Sequence, residues 1–195
     1  ERVDHPHHAG MWFNYGDVNG LDFWNNSDAI PVGQRSKYGT IVHRSVRTVM
    51  SGSGEGILET TENWVTPDNR PILREDTRYV FGASLGARTI QRITTLTALD
   101  SAVSFNDNKE GVLGIRVARS LEHPSLQPEK FTDAQGNVTP VAKLDTAGVH
   151  GHYLSSEGKQ GDDVWGTRGK WTVLHGDVGG TPVSIEFPQT DEKGQ

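Results

Sequence analysis

The chain has 195 residues, 25 acidic against 19 basic side chains for a net charge of −6, 23 glycines and no cysteine. That length suffices for one domain with a sizeable core, and the acidic balance argues against a nucleic-acid binder, which presents a basic patch or stripe. The lack of cysteine excludes disulfides and thiolate metal sites, and no apolar run approaches the ~20 residues of a membrane-spanning helix.

The first segment, Asp4-His5-Pro6-His7-His8-Ala9-Gly10-Met11-Trp12-Phe13, gathers three of the eight histidines just ahead of two aromatic residues. In an extended segment His5 and His7 share a face and His8 points the other way, and Pro6 favours that extended form at His5. Imidazoles so placed suit a proton shuttle, or a metal site completed by a ligand from elsewhere. The plainer alternative is one buried, hydrogen-bonded histidine with the others on the surface.

Met11–Tyr15 reads as a strand and Asn14–Arg35, rich in Asn, Asp and Gly, as a long loop carrying Phe23 and Trp24. Gly39–Met50 follows as a strand with His43 inside it. In Gly56–Val65, Leu58, Thr60, Glu62 and Trp64 share one face, and in Pro71–Phe81 so do Leu73, Glu75, Thr77, Tyr79 and Phe81. Arg88–Leu99 is rich in Thr and Ile, as a pleated, half-buried surface prefers, and Gly82–Ala87 reads as the turn that pairs it with the preceding strand. Ala102–Phe105, Val112–Ala118, Lys170–His175 and Pro182–Phe187 complete the strands, while Leu121–Asp145 and Gly148–Arg168 read as long loops. No segment carries a helical stripe over three turns. Short strands punctuated by Gly, Asn and Asp predict an all-β, mostly antiparallel sandwich or barrel, organised as a single domain over 1–195.

Four places beyond the histidine cluster carry chemistry. His43 is an imidazole within a strand, a position more often structural. Glu75 lies on the apolar face of its strand, so its carboxylate is either paired or set in a pocket where desolvation fits it for acid–base work. Arg74, Asp76 and Arg78 lie on the opposite face, where alternating charges usually make solvated ion pairs of little energetic weight. Asn106–Gly111 reads as a polar turn, from which Glu110, with Arg116 in the next strand, could reach a ligand. Trp165 and Trp171, with Arg168 between them, suit stacking on a sugar ring and a guanidinium fork on a hydroxyl or carboxylate, although Trp171 at the start of a strand fits core packing better than binding. No Gly-x-Ser-x-Gly, P-loop or dinucleotide fingerprint occurs.

Taken together, Asp-His-Pro-His-His-x-Gly-x-Trp-Phe over 4–13, Gly16–Gly20 with Asp22-Phe23-Trp24, Gly39-x-Ile-x-His43, Leu73-Arg74-Glu75-x-x-Arg78, Lys109-Glu110-Gly111 with Ile115–Ala118, Ser156-Glu157-Gly158 and Trp165-Gly166-x-Arg168-x-x-Trp171 form an ordered set. The set resembles the bacterial PmoA-like family, labelled "methane oxygenase PmoA", and covers residues 4 to about 187. The methane monooxygenase subunit itself resides in a membrane, and no such span is legible here. What the resemblance implies is a β-supersandwich similar to the galactose mutarotase group, in bacteria that degrade complex glycans, and with it a periplasmic or secreted setting. Family members usually continue past the last strand into further His-Pro, Asn-Pro and Arg-x-Tyr-Gly motifs. Here a polar segment ends at Gln195, no leader is recognisable and residue 1 is Glu, so a chain truncated at one or both ends is expected.

The reading that follows is a carbohydrate-active protein working near an anomeric carbon, as an epimerase, mutarotase or lyase. One of His7, His8 or His43 would serve as general acid and Glu75 or Glu110 as general base. Arg78, Arg116 and Arg168 would hold hydroxyls or a carboxylate, and Trp12 and Trp24 would stack on the ring. The partner is a small-molecule or glycan ligand, with no cofactor identified. Two rival readings are a non-catalytic glycan-binding sandwich and a metal-dependent oxygenase or lyase using His5, His7 and His43 with a carboxylate.

Overall fold

A computed structural model describes residues 8–28, 30–132 and 137–188. Its elements are strands joined by turns, with three short 3-10 helices at Val32–Lys37, Arg119–Leu121 and Gly161–Val164. The fold is all-β and its paired strands are antiparallel. The chain forms two compact units. Trp12–Gly114 makes up most of one; the described residues up to Met11 and from Ile115 onward belong to the other.

The Trp12–Gly114 unit is built on a four-stranded sheet of β2 (Thr40–Ser51), β3 (Glu55–Val65), β4 (Pro71–Ser84) and β5 (Ala87–Ala98), in that order. β1 (Met11–Tyr15) pairs with β6 (Gly111–Ile115) in a separate two-stranded ladder. The register sets Trp64 opposite Leu73, Glu62 opposite Glu75 and Thr60 opposite Thr77. Glu75 in turn faces Leu96, Thr77 faces Thr94 and Tyr79 faces Arg92. Because side chains alternate with period two, these residues form one face, called inner here. It continues at its Trp64 end into the core of Val18, Phe23, Trp64, Ile72 and Leu73, with Phe13 and Ile41 packed on it. Gly39 is obligatory beside that core, since a Cβ there would lie within the Phe23 ring.

Two register shifts interrupt edge strand β2, between His43 and Ser45 and between Val46 and Thr48. Such bulges redirect side chains on an edge. His43 stays on the inner face opposite Glu62, whereas Ser45, two residues on, falls opposite outward-facing Thr61. The hairpin between β4 and β5 is tighter than the Gly82–Ala87 turn expected. Both strands run on until only Leu85 and Gly86 remain between them, at φ of 46° and 83°. Two successive positive φ values are those of a type I′ turn, whose twist matches the strands it joins.

The second unit holds β7 (Glu129–Thr132) paired with β8 (Val138–Val141), and a three-stranded sheet in the order β11 (Thr181–Pro188), β10 (Trp171–Val178), β9 (His152–Ser155). Two of the expected long loops are therefore partly strand: Leu121–Asp145 contains the β7–β8 hairpin and Gly148–Arg168 contains β9. In the other direction, the strand expected over Ala102–Phe105 reduces to a single bridge from Phe105 to Val18, and that expected over Val112–Ala118 ends at Ile115. Leu174 and Leu121 are buried in this unit, and a Cβ at Gly176 would meet Leu121 Cδ2 at 2.6 Å.

Candidate active site on the inner sheet face

The inner face carries a polar network set into apolar surroundings. Glu75 is 1% exposed. Trp64 Nε1 donates to its Oε2 at 2.7 Å and Thr77 Oγ1 to its Oε1 at 2.8 Å, and the Arg92 guanidinium forms an ion pair with the same Oε1. Arg92 also donates to the Tyr79 hydroxyl at 2.7 Å and to Thr94 Oγ1 at 3.0 Å. Its Cζ lies 4.7 Å from the centroid of Phe13 and 5.1 Å from that of Tyr79. A guanidinium satisfied at the edge by acceptors and on its plane by rings is the arrangement that makes burial of an arginine tolerable. Burial pushes the Tyr79 hydroxyl up from its usual range, assisted by the negative charges of Glu75 and Glu62 and opposed by Arg92.

Of the two alternatives the strand pattern leaves for Glu75, the structure takes the first. The carboxylate is paired, with three donors on its oxygens.

Beside it stands a carboxylate with a different environment. Glu62 Oε1 lies 3.2 Å from His43 Nδ1, and Glu62 Oε2 is buried with no hydrogen bond among the described residues. Glu62 also sits directly opposite Glu75 in the register. Like charges so placed are destabilising, and a buried polar oxygen left without a partner costs about 1–3 kcal/mol. A sheet that retains both costs asks for an explanation beyond stability. The His43 side chain is 55% exposed and that of Glu62 16%, so the pair runs from the interior to solvent. With Nδ1 donating to Glu62, the neutral ring presents Nε2 as an acceptor.

The remaining expected site residues are distributed as follows. His7 lies outside the described residues, as does His5. His8 is buried and its carbonyl accepts from Arg116 Nε at 3.1 Å. His8, Arg116 and the exposed Arg168 belong to the second unit, while His43, Glu75, Arg78, Glu110, Trp12 and Trp24 belong to the sheet unit. Trp12 and Trp24 are brought together edge to face, centroids 6.0 Å apart, and a Cβ at Gly114 would run into the Trp12 ring. Glu110 pairs with its neighbour Lys109 at 2.6 Å and holds the Lys109 ammonium above its usual range. Arg78 points away from Glu75 on the outer face, where its NH1 reaches Glu59 Oε1 at 3.3 Å.

Glu62 and Arg92 are the site residues that sequence reasoning did not single out. The phase of Glu62 with Leu58 and Trp64 was a usable signal. Arg92 had none, because its position opposite Tyr79 depends on the tight hairpin at Leu85–Gly86.

No group of three or more His, Asp or Glu side chains is arranged to hold a metal among the described residues, and no helix there is long and apolar enough to cross a membrane. No curated protein and no solved structure matches the chain. A family model does match, over residues 1–194, and by that match the chain belongs to the family of unknown function DUF6807.

Proposed function

We propose that the protein acts on the anomeric centre of a small sugar or glycan end, with His43 as the acid–base group and Glu62 as the carboxylate that orients it. The observation that carries this reading is the His43–Glu62 pair at 3.2 Å, half open to solvent and backed by the buried Glu75–Arg92 network. The resemblance of the motif set to the PmoA-like family supports the substrate class, and the galactose mutarotase-like packing of the sheets is part of the same proposal. Neutral His43 takes the proton of the anomeric hydroxyl through Nε2 as the bond from C1 to the ring oxygen opens, and that oxygen takes a proton from solvent. Closure on the other face of the aldehyde reverses both transfers. Glu62 stabilises the imidazolium that forms in between, as a carboxylate does for a catalytic histidine in other hydrogen-bonded pairs.

The test is anomer equilibration of freshly dissolved α-D-galactose and α-D-glucose, followed by proton NMR. The protein should speed equilibration beyond buffer, and His43→Ala and Glu62→Gln should each lower that rate by about 10²-fold with no fall in melting temperature. Acceleration that survives both variants removes His43 and Glu62 from the chemistry. Saturable sugar binding without acceleration replaces the enzyme reading with a glycan-binding one, and the absence of both removes the sugar altogether.

A further inference from the structure

The four-stranded sheet has two edges, and they are built differently. Edge strand β2 is broken by register shifts between His43 and Ser45 and between Val46 and Thr48, and bulges of this kind spoil an edge for pairing with a further strand. β5 carries none. It faces β4 in unbroken register from Ala87 to Ala98 and contains no proline, the residue that would remove an edge donor. Among the described residues no strand other than β4 pairs with β5, and Ala87 to Gln91, Ile93 and Thr95 are exposed.

The direction of each backbone group on β5 follows from the turn. A two-residue hairpin closes on a hydrogen-bonded pair, here Ser84 with Ala87, and bonded and non-bonded pairs then alternate along an antiparallel ladder. At the far end Leu99 N donates to Ile72 O at 3.1 Å, which keeps the same phase. The odd-numbered residues of β5 therefore bond to β4. Arg88, Ile90, Arg92, Thr94, Leu96 and Ala98 turn their N–H and C=O groups to the open edge.

We propose that β5 is a self-association edge, pairing antiparallel with β5 of a second copy about a two-fold axis at Ile93. The position of the axis decides which side chains meet. Centred on Arg92 it sets two guanidiniums directly opposite, and centred on Ile90 it sets Arg88 opposite Arg92; like charges so placed are destabilising. Centred on Thr94 it leaves Ile93 against Thr95. Centred on Ile93 it sets Ile93 against its own copy on the outer face and Ile90 against the second copy's Leu96 on the inner face, while Arg92 meets Thr94 and Arg88 meets Ala98. Ile90 and Ile93, 54% and 49% exposed, then both gain apolar neighbours. The six open-edge residues of each copy pair in that register and close about twelve main-chain hydrogen bonds. Two copies form one eight-stranded sheet, four strands from each, with both inner faces on the same side. This self-complementary register favours a second copy over an unrelated extended segment. The edge is independent of the His43–Glu62 reading.

Sedimentation of the full chain from micromolar to submillimolar concentration should show a monomer–dimer equilibrium. Because the chain has no cysteine, Ile93→Cys is a direct probe. On the open side Ile93 is a non-bonded position, whose Cα atoms across the axis lie about 4.5 Å apart, within disulfide range. Oxidised Ile93→Cys should run as a covalent dimer, and Gln91→Cys, set opposite Thr95 instead of itself, should not. Ile93→Lys should raise the concentration needed for dimers by about tenfold or more. Mixing it with Ile93→Glu should restore them, which unfolded variants would not do. A chain that stays monomeric throughout, undiminished association of Ile93→Lys, or equal crosslinking of the two cysteine variants overturns the proposal.

Discussion

The two faces of strand β4 carry comparable charge and do different things with it. On the outer face Arg74 and Arg47 pair with Asp76 at 2.8 and 3.1 Å, and Arg78 pairs with Glu59 at 3.3 Å, with every arginine side chain about half exposed. Those pairs exchange one hydrated state for another and are worth little. On the inner face the Glu75 and Arg92 side chains are 2% and 12% exposed. There, each partner is what makes burial of the other tolerable, so the weight lies in the penalty for removing one of them. Period-two alternation thus sorts the same residue types into a solvated mesh and a buried anchor, and the candidate chemistry at His43–Glu62 stands on the anchored side.

The sharpest way to break this comparison is Arg92→Met, which leaves Glu75 buried without its counter-charge. It should cost about 3–5 kcal/mol, lowering Tm by about 10 °C for a chain of this length, as calorimetry would show. Thr77→Val comes next. It keeps the shape but removes the hydroxyl that donates to Glu75 and shares a 2.8 Å bond with Thr94. Denaturant melts should report a loss of about 1–2 kcal/mol.

Alkaline titration gives a smaller effect on the same face. The Tyr79 hydroxyl is raised above its ordinary value of 10.0 in the folded protein. Its contribution is therefore complete below about pH 10 and lost as pH rises through the folded value, because the unfolded chain gives up this proton first. Tyr79→Phe should flatten that alkaline decline in stability. The smallest effect belongs to the outer face, where Arg78→Ala should change stability by no more than about 0.5 kcal/mol and leave sugar handling untouched. A large loss there would erase the distinction between the faces.

How far the sequence carries this picture varies with the range of the interactions involved. β3 and β4 were legible because their alternation is local: Leu73, Glu75 and Thr77 are buried as a set, with Arg74 and Arg78 exposed between them. The β7–β8 hairpin was not legible, since Glu129–Thr132 and Val138–Val141 are four-residue strands among polar residues, with Pro128 just before the first and Pro140 inside the second. Their pairing is a tertiary event with little local signature. Ala102–Phe105 fails in the opposite sense: the run is apolar, but only Phe105 bridges to Val18. Within the site, Glu75 was identifiable as a carboxylate on an apolar face, but whether it was paired depended on Arg92, 17 residues on and brought in by the hairpin. His43 owes its place opposite Glu62 to a ladder interrupted one step later by a bulge, which no alternation rule foretells.

The proposed chemistry requires a sugar to meet the protein on the inner face. The most direct measurement is a titration of the isotope-labelled chain with D-galactose, read from the His43 ring signals and from the backbone amides of β3 and β4. A sugar bound on the inner face should give saturable shifts at the His43 ring and at Glu62, with Glu59 and Arg78 unmoved. Shifts confined to the outer face, or none at His43 under saturating sugar, would contradict it.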